Sequence, residues 1–420
     1  MALIQSVRGT KDILPREVKR WQDLENICRQ VAQRYGYDEI RTPIFEKTEV
    51  FSRGVGEGTD IVNKEMYTFD DRGGESLTLR PEQTAAIVRA VIQNNLIQNT
   101  NVLRLFYIGT YYRYERPQKG RLREFHQYGV ECILSPYPES DAEVIMLADT
   151  FIKNIGIENY NLKINSLGNE FSRQNYLNIL NNYLKDNLNN MSEDSRRRVF
   201  DNPLRVLDSK HIDDVELLKK APSILDYLDE ESAEHFDNVK RYLDIAEIKY
   251  EITPSLVRGL DYYSHTVFEF QSNYLGSQDS FGGGGRYNKL FYDLGAKSTP
   301  AVGFAMGMER LLLILESINK NQVIKREQLV VIIPMSIEQY NYALSIANRL
   351  RNEVKINTII DIQRRSFKSQ LRETDKLEAD YALIIGDEEL NNNGVMLKDL
   401  KERKQKFVYI DELLNIFKSK

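Results

Sequence analysis

A chain of 420 residues exceeds what one ordinary hydrophobic core supports, so two or three domains are expected. With 41% hydrophobic and 28% charged residues, and no apolar run near the ~20 residues of a membrane helix, no helical membrane span and no membrane partner are expected. A net charge of -5 argues against a general nucleic-acid coat, yet leaves room for RNA binding through a local basic loop. The opening MALIQSVRGTKDILP lacks the apolar core of a secretory signal, which predicts a cytoplasmic location. The two cysteines, Cys28 and Cys132, and the four histidines are scattered, so no protein-caged metal site is expected.

Apolar side chains at helical spacing between Glu17 and Tyr35 (Val18, Trp21, Leu24, Ile27, Cys28, Val31) predict an amphipathic helix ended by Gly36. Tyr37 to Glu46 reads as an extended segment bent at Pro43. Ser76 to Leu79 reads as a short strand, and a helix follows from Thr84, its expected N-cap, to about Asn94. Val102–Tyr114 and Glu124–Leu134 read as two strands of a hairpin. Residues 168–248 are rich in Asn, Asp, Leu, Lys and Arg and predict a helical insertion, with Asn175–Leu184 its clearest helix. Strand character returns at Lys249–Thr253 and Thr266–Gln271. The run Phe281-Gly282-Gly283-Gly284-Gly285-Arg286-Tyr287 reads either as a tight hairpin turn or as a place where a ligand approaches the backbone. Ala301 to Arg310 leads into an apolar helix through Ile318, and polar Asn319–Gln328 reads as a linker. Beyond it, strands at Leu329–Ile333, Ile356–Asp361 and Tyr381–Ile385 alternate with helices at Tyr340–Arg351 and Phe367–Leu377. Strands near Val395 and Phe407 follow, and the alternation predicts a small α/β domain with a largely parallel sheet.

The chemistry concentrates in Tyr112–Glu131, YRYERPQKGRLREFHQYGVE. Period-2 alternation sets Arg113 and Glu115 on one face of the first strand and Phe125, Gln127, Gly129 and Glu131 on one face of the second. Such a face offers a cation for phosphate, a ring for stacking, and carboxylates and an amide for a polar ligand. A solvated hairpin face has the same pattern. Arg113, Arg116, Lys119, Arg121 and Arg123 form a basic cluster that Pro117 and Gly120 break into a shaped loop rather than a charged helix face. Arg258, in RGLDYYSHT, and Arg310, at a helix start, are two more arginines beside glycines or loops; each is either a surface ion pair or a phosphate ligand. No Walker-type or strand–GxGxxG–helix motif is present, so the familiar nucleotide folds are not indicated.

Three of these segments resemble motifs 1, 2 and 3 of the class II aminoacyl-tRNA synthetases, centred near Pro43, across residues 103–133, and across 301–318. Arg258–Glu269 (RGLDYYSHTVFE), Phe281–Tyr287, Arg8–Asp12 (RGTKD) and Leu79–Glu82 (LRPE) are similar to the histidyl-tRNA synthetase family of bacterial type. The resemblance implies an α+β catalytic domain built on an antiparallel sheet over residues 1–325, interrupted by the insertion, and an α/β anticodon-binding domain over 326–420. It implies ATP as substrate, with Mg²⁺ on its phosphates, and L-histidine, tRNA-His and a second copy of the chain as partners. Arg113, Arg258 and Arg310 are then the catalytic phosphate ligands. Glu82, Thr84 and Gln127 hold the amino group, Glu131 and Tyr263 address the imidazole, and Tyr262 lines its pocket. Phe125 stacks on adenine with Glu115 near its amine, and Arg116, Gln118, Arg121 and Arg123 guide the acceptor end. Candidate anticodon contacts fall near Arg364, Arg365 and Phe367, which also suit a solvated helix start. No role follows for Arg286 or Tyr287. The family's regulatory relatives in histidine biosynthesis resemble the catalytic domain but typically lack the anticodon domain.

Overall fold

Alternating apolar residues and β-branched runs build most of the strands, and glycines build one of them. The structure, a computed structural model, describes residues 3–56, 59–276, 279–318 and 328–418; the predicted linker, save Gln328, lies outside the described residues. The chain divides into two units, residues 1–320 and 321–420, each with its own apolar core.

In the first unit the strands are β1 (Asp38–Glu39), β2 (Phe45–Lys47), β3 (Tyr67–Asp70), β4 (Ser76–Leu79), β5 (Leu103–Tyr112), β6 (Glu124–Ile133), β7 (Asn161–Ser166), β8 (Glu251–Ile252), β9 (Ser264–Gln271), β10 (Ser280–Arg286) and β11 (Ala301–Gly307). Eight of them form one sheet in the order β1-β5-β6-β11-β10-β9-β7-β8. Its six inner strands are antiparallel, and only the edge strands β1 and β8 pair parallel. A small sheet, β2-β4-β3, stands apart, so the bend at Pro43 carries the chain from one sheet to the other. Helices Pro15–Arg34, Pro138–Asn154, Glu230–Ile245 and Met308–Ser317 contribute to the core that buries Phe268, Phe281 and Val302. A second core holds helices Thr84–Gln93 and Glu170–Asp186 with Leu105, Tyr107 and Val267. Between β7 and β8 the regular elements are helical, from Glu170 to Ile245.

Four sequence expectations are corrected. The glycine run is not a hairpin turn; it is β10, a central strand bonded on both sides. The first hairpin strand stops at Tyr112, so Arg113 and Glu115 lie just past the ladder, although Arg113 N–H still bonds Arg123 O at 2.9 Å. Thr84 is the first helical residue and not the N-cap; the Glu82 carboxylate instead accepts the N–H groups of Thr84, at 2.7 Å, and Ala85, at 2.9 Å. In the second unit β12 (Leu329–Pro334), β13 (Asn357–Ile360), β14 (Tyr381–Ile385), β15 (Gly394–Asp399) and β16 (Lys404–Tyr409) form the order β13-β12-β14-β15-β16. That sheet is half parallel: β13, β12 and β14 run together, while β15 and β16 are antiparallel hairpin strands joined by a short turn.

Candidate active site

The antiparallel face around β6, β11 and β10 is floored largely by backbone. Gly285 pairs with Gly303, and Gly303 with Glu131, across adjacent strands. A Cβ on Gly283 would stand 2.9 Å from the Arg258 guanidinium, one on Gly285 2.9 Å from the Tyr263 ring, and one on Gly303 1.8 Å from a Glu131 oxygen. The glycines are there because three functional side chains lie directly over them. Arg286 follows on the opposite face by strand alternation. There it is fully buried and its Nε meets both Asp141 oxygens at 3.1 and 3.2 Å. It also donates to the carbonyls of Ser135 and Tyr137, which ties β10 to the start of helix Pro138–Asn154. Burial, the largest single effect, raises the Asp141 carboxyl, but the Arg286 charge and the hydrogen bonds from His235 and Arg286 together outweigh it and hold Asp141 well below the usual carboxylate range.

Above that floor lies a cavity of ≈ 180 Å³ lined by Glu82, Thr84, Gln127, Glu131, Tyr262, Tyr263 and Tyr287, with Arg113 and Arg258 also on its wall. Glu131 is 1% exposed; it accepts the Thr84 hydroxyl at 2.9 Å and the Tyr287 hydroxyl at 2.5 Å. Burial pushes its carboxyl up to about 8, and the two hydroxyl bonds pull against that rise. Glu82 is raised by burial too, with its helix N–H bonds opposing. A wider cleft of ≈ 770 Å³ adjoins the cavity and carries Glu115, Phe125, Arg121 and Arg310 on its walls. Arg113 and Arg258 are the two cationic side chains common to both spaces.

Each arginine is aimed by a neighbour. Arg113 Nε donates to Pro81 O at 2.9 Å, and its guanidinium lies 5.3 Å from the Phe125 ring centre. Arg258 Nη1 donates to Glu269 at 2.5 Å, while its Nε is buried without a hydrogen-bond partner. Arg310 Nη1 reaches Gly120 O at 3.4 Å, so the basic loop folds back over the cleft. That loop is pinched by mutual backbone bonds of Gln118 and Arg121, at 3.0 and 2.9 Å. Arg116, Gln118 and Arg121 line an outer groove of ≈ 630 Å³, and Arg121 lines the cleft as well. Arg123 is placed differently. It lies 4.1 Å from the Tyr114 ring centre and donates to Glu115 O at 3.2 Å, while its N–H bonds Gly9 O at 2.7 Å. The RGTKD segment therefore braces the loop's return strand.

Tyr287, Gln83 and Tyr107 also line the cavity, and the sequence reading assigned none of them a part. For Tyr287 the available signal was its position next to the glycine run. In the second unit Arg365 is held by Asp361, at 3.2 Å, and Glu373, at 3.3 Å, while Phe367 packs on a satellite core. Arg364 has a left-handed backbone, φ 54°.

An antiparallel sheet carrying a polar cavity, a cleft beside it and two arginines common to both agrees with the catalytic domain that the resemblance to class II aminoacyl-tRNA synthetases implies. A family model described as Histidyl-tRNA synthetase matches residues 9–311, and one described as Anticodon binding domain matches 329–420. The chain belongs to the histidyl-tRNA synthetase family. It is 46% identical over 415 residues to the histidine–tRNA ligase of Bacillus subtilis (strain 168), covering 98% of both chains. With the histidine–tRNA ligase of Chloroherpeton thalassium it shares 47% identity over 404 residues, 96% of this chain and 94% of that one. The apo S. aureus histidyl-tRNA synthetase superposes with a TM-score of 0.84 at 36% identity, over 99% of this chain and 100% of that one. A Bacillus halodurans protein titled as an ATP phosphoribosyltransferase regulatory subunit/histidyl-tRNA synthetase is 22% identical with a TM-score of 0.64, a likeness of fold alone.

Proposed function

We propose that this enzyme, an ATP-dependent histidine–tRNA ligase, activates histidine where the smaller cavity meets the cleft. The observation that carries this reading is the pair Arg113 and Arg258, the cations shared by the two spaces. Histidine fills the cavity with its imidazole against Glu131 and Tyr263, beside Tyr262, and its amino group toward Glu82, Thr84 and Gln127. Its carboxylate then faces the junction. ATP lies in the cleft with adenine on Phe125, its amine near Glu115, and its γ-phosphate at Arg310. A carboxylate oxygen attacks the α-phosphorus, the bond to the bridging oxygen breaks, and pyrophosphate leaves with the electron pair. Arg113 and Arg258 neutralise the charge that develops on the α-phosphate; no protein nucleophile is needed. A hydroxyl of the tRNA 3′-terminal ribose then attacks the carbonyl carbon of the adenylate, the bond to the phosphate oxygen breaks and AMP leaves, with the tRNA end guided by Arg116, Gln118 and Arg121 and Arg123 holding the loop's shape. Among the described residues no cluster of three or more His, Cys, Asp or Glu is arranged to hold a metal ion. Magnesium enters as part of the substrate, on the β- and γ-phosphates.

The second unit reads the tRNA, near Arg364, Arg365 and Phe367, since RNA bases are met by stacking and edge hydrogen bonds. Each unit has buried cores of its own. Removing residues after Asn319 should therefore leave histidine-dependent ATP–pyrophosphate exchange near its full rate and depress tRNA charging. Charging at the full rate would end the assignment of the second unit to tRNA.

Two copies of the chain pair through the segment around Pro43. Ile44, Phe45 and Phe69 are 48%, 52% and 45% exposed on or beside the small sheet, an apolar surface that a partner would cover. A solution mass near twice 48.9 kDa is expected, and a monomer at working concentration would refute pairing. Among the described residues no helix is long and apolar enough to cross a membrane.

A further inference from the structure

The loop between β8 and β9 carries Arg258, Tyr262 and Tyr263, yet residues 256–258 and 263 have no helix, strand or turn of their own. A backbone stretch without its own ladder takes its geometry from whatever bonds its carbonyls, and this one runs from the exposed Gly259 to the buried Tyr262 and Tyr263. Here three alternate carbonyls accept from arginines of the helical insertion. Arg205 Nη2 donates to Gly259 O at 2.9 Å. Arg173 Nη1 donates to Asp261 O at 3.1 Å and to Tyr263 O at 3.2 Å. Asn202 Nδ2 adds a bond to the Asp261 carboxylate at 3.2 Å. Leu204, Val206 and Leu207, flanking Arg205, share a core with Leu256, Tyr262 and Tyr263. Arg205 also reaches Asp60 at 3.7 Å, next to the cavity wall at Ile61, and its side chain is only 21% exposed.

We propose that Arg205 is a positioning residue for amino-acid activation. By holding the Gly259 carbonyl it sets the reach of Arg258 toward the α-phosphate, which makes the helical insertion part of the activating machinery. The proposal rests on the reading of Arg258 as an α-phosphate ligand, and a double-mutant cycle separates the two. Arg205→Ala is expected to lower kcat for histidine-dependent ATP–pyrophosphate exchange by about 10²-fold, since a displacement of ~1 Å has that effect on a catalytic group. KM for ATP and for histidine should stay close to the parent values. Arg205→Lys retains one donor for the carbonyl and should recover part of the rate. In an Arg258→Ala background, Arg205→Ala should add little, because it acts through the group already removed. Should Arg205→Ala fail to fold, Arg205→Gln, which keeps an amide donor, runs through the same cycle.

Additive losses in the cycle would overturn the proposal. So would normal exchange with impaired charging, which assigns Arg205 to RNA, or a raised KM for ATP at constant kcat, which makes it a direct nucleotide contact. Full exchange in Arg258→Ala alone would remove the reading of Arg258, and this proposal with it.

Discussion

Arg258→Ala is expected to lower histidine-dependent ATP–pyrophosphate exchange by about 10³-fold, the upper range for losing one preorganised group that meets developing charge. The guanidinium sits at the junction of cavity and cleft, and its buried Nε has no protein partner. A charged, water-poor donor in that state is poised for an anion. Glu269 holds the other end of the fork, and Glu269 also accepts from Gln271 Nε2 at 2.7 Å. Removing Arg258 therefore leaves that carboxylate with a partner, and the fold should survive. The loss belongs in kcat, with equilibrium binding of histidine largely kept, because the α-phosphate gains charge only as the reaction proceeds. Arg258→Lys keeps the charge without the planar fork and should fall between the two. Near-normal exchange in Arg258→Ala would show that the α-phosphate is neutralised elsewhere.

Glu131→Gln is expected to lower kcat/KM for histidine by about 10³- to 10⁴-fold while ATP binding is nearly unchanged. A buried site built to bond a polar group discriminates on that scale, because a mismatch leaves donors or acceptors without partners. Equal losses in histidine and ATP use would count against a side-chain role in histidine recognition. The same substitution should stabilise the empty protein. Glu131, raised by burial to about 8, keeps its proton in the fold through a pH range where the unfolded chain has already released it. The native state then binds more protons than the unfolded state, so stability is fullest below the unfolded pKa near ~4.3 and is lost as pH rises toward about 8. Glutamine is neutral throughout, and the hydroxyls of Thr84 and Tyr287 can rotate to donate or accept. Its gain in melting temperature over the parent should therefore be small at pH 5 and larger at pH 8. A gain that shrinks with rising pH would mean that Glu131 is ionised in the empty fold.

These two experiments bear on a site whose parts were unequally legible in advance. Alternation along β6 placed Phe125, Gln127 and Glu131 on one face, and the structure has all three on the walls of the joined spaces. Arg113 and Glu115 share the cleft wall with Phe125 and Gln127 as alternation predicts, although Arg113 lies one residue past β5 and takes its direction from the Pro81 carbonyl, not from a pleat. Thr84 looked like a cap because hydroxyls cap helices. Its hydroxyl instead donates to a carboxylate 47 residues away, and the Glu82 carboxylate accepts the first-turn N–H groups. Arg123 looked interchangeable with its neighbours in the basic loop, yet an aromatic ring and the Gly9 carbonyl hold its part of the chain inward.

By itself the sequence determined the order of most elements, the basic loop, the residue types of the cavity and the family. These reside in local periodicity and short motifs, which need no knowledge of distant contacts. Tertiary structure alone decided that the glycine run is a central strand, since only its neighbours show that backbone, guanidinium and carboxylate leave no room for side chains. It alone gave Arg286 to Asp141, 145 residues away, and Tyr287 to Glu131, 156 residues away, by sending consecutive residues of one strand end to opposite faces. Helix Pro138–Asn154, which receives Arg286, carries apolar residues over much of its surface and so lacks a clean amphipathic signature. Pairings of that separation are set by strand order and register, and no local spacing encodes them.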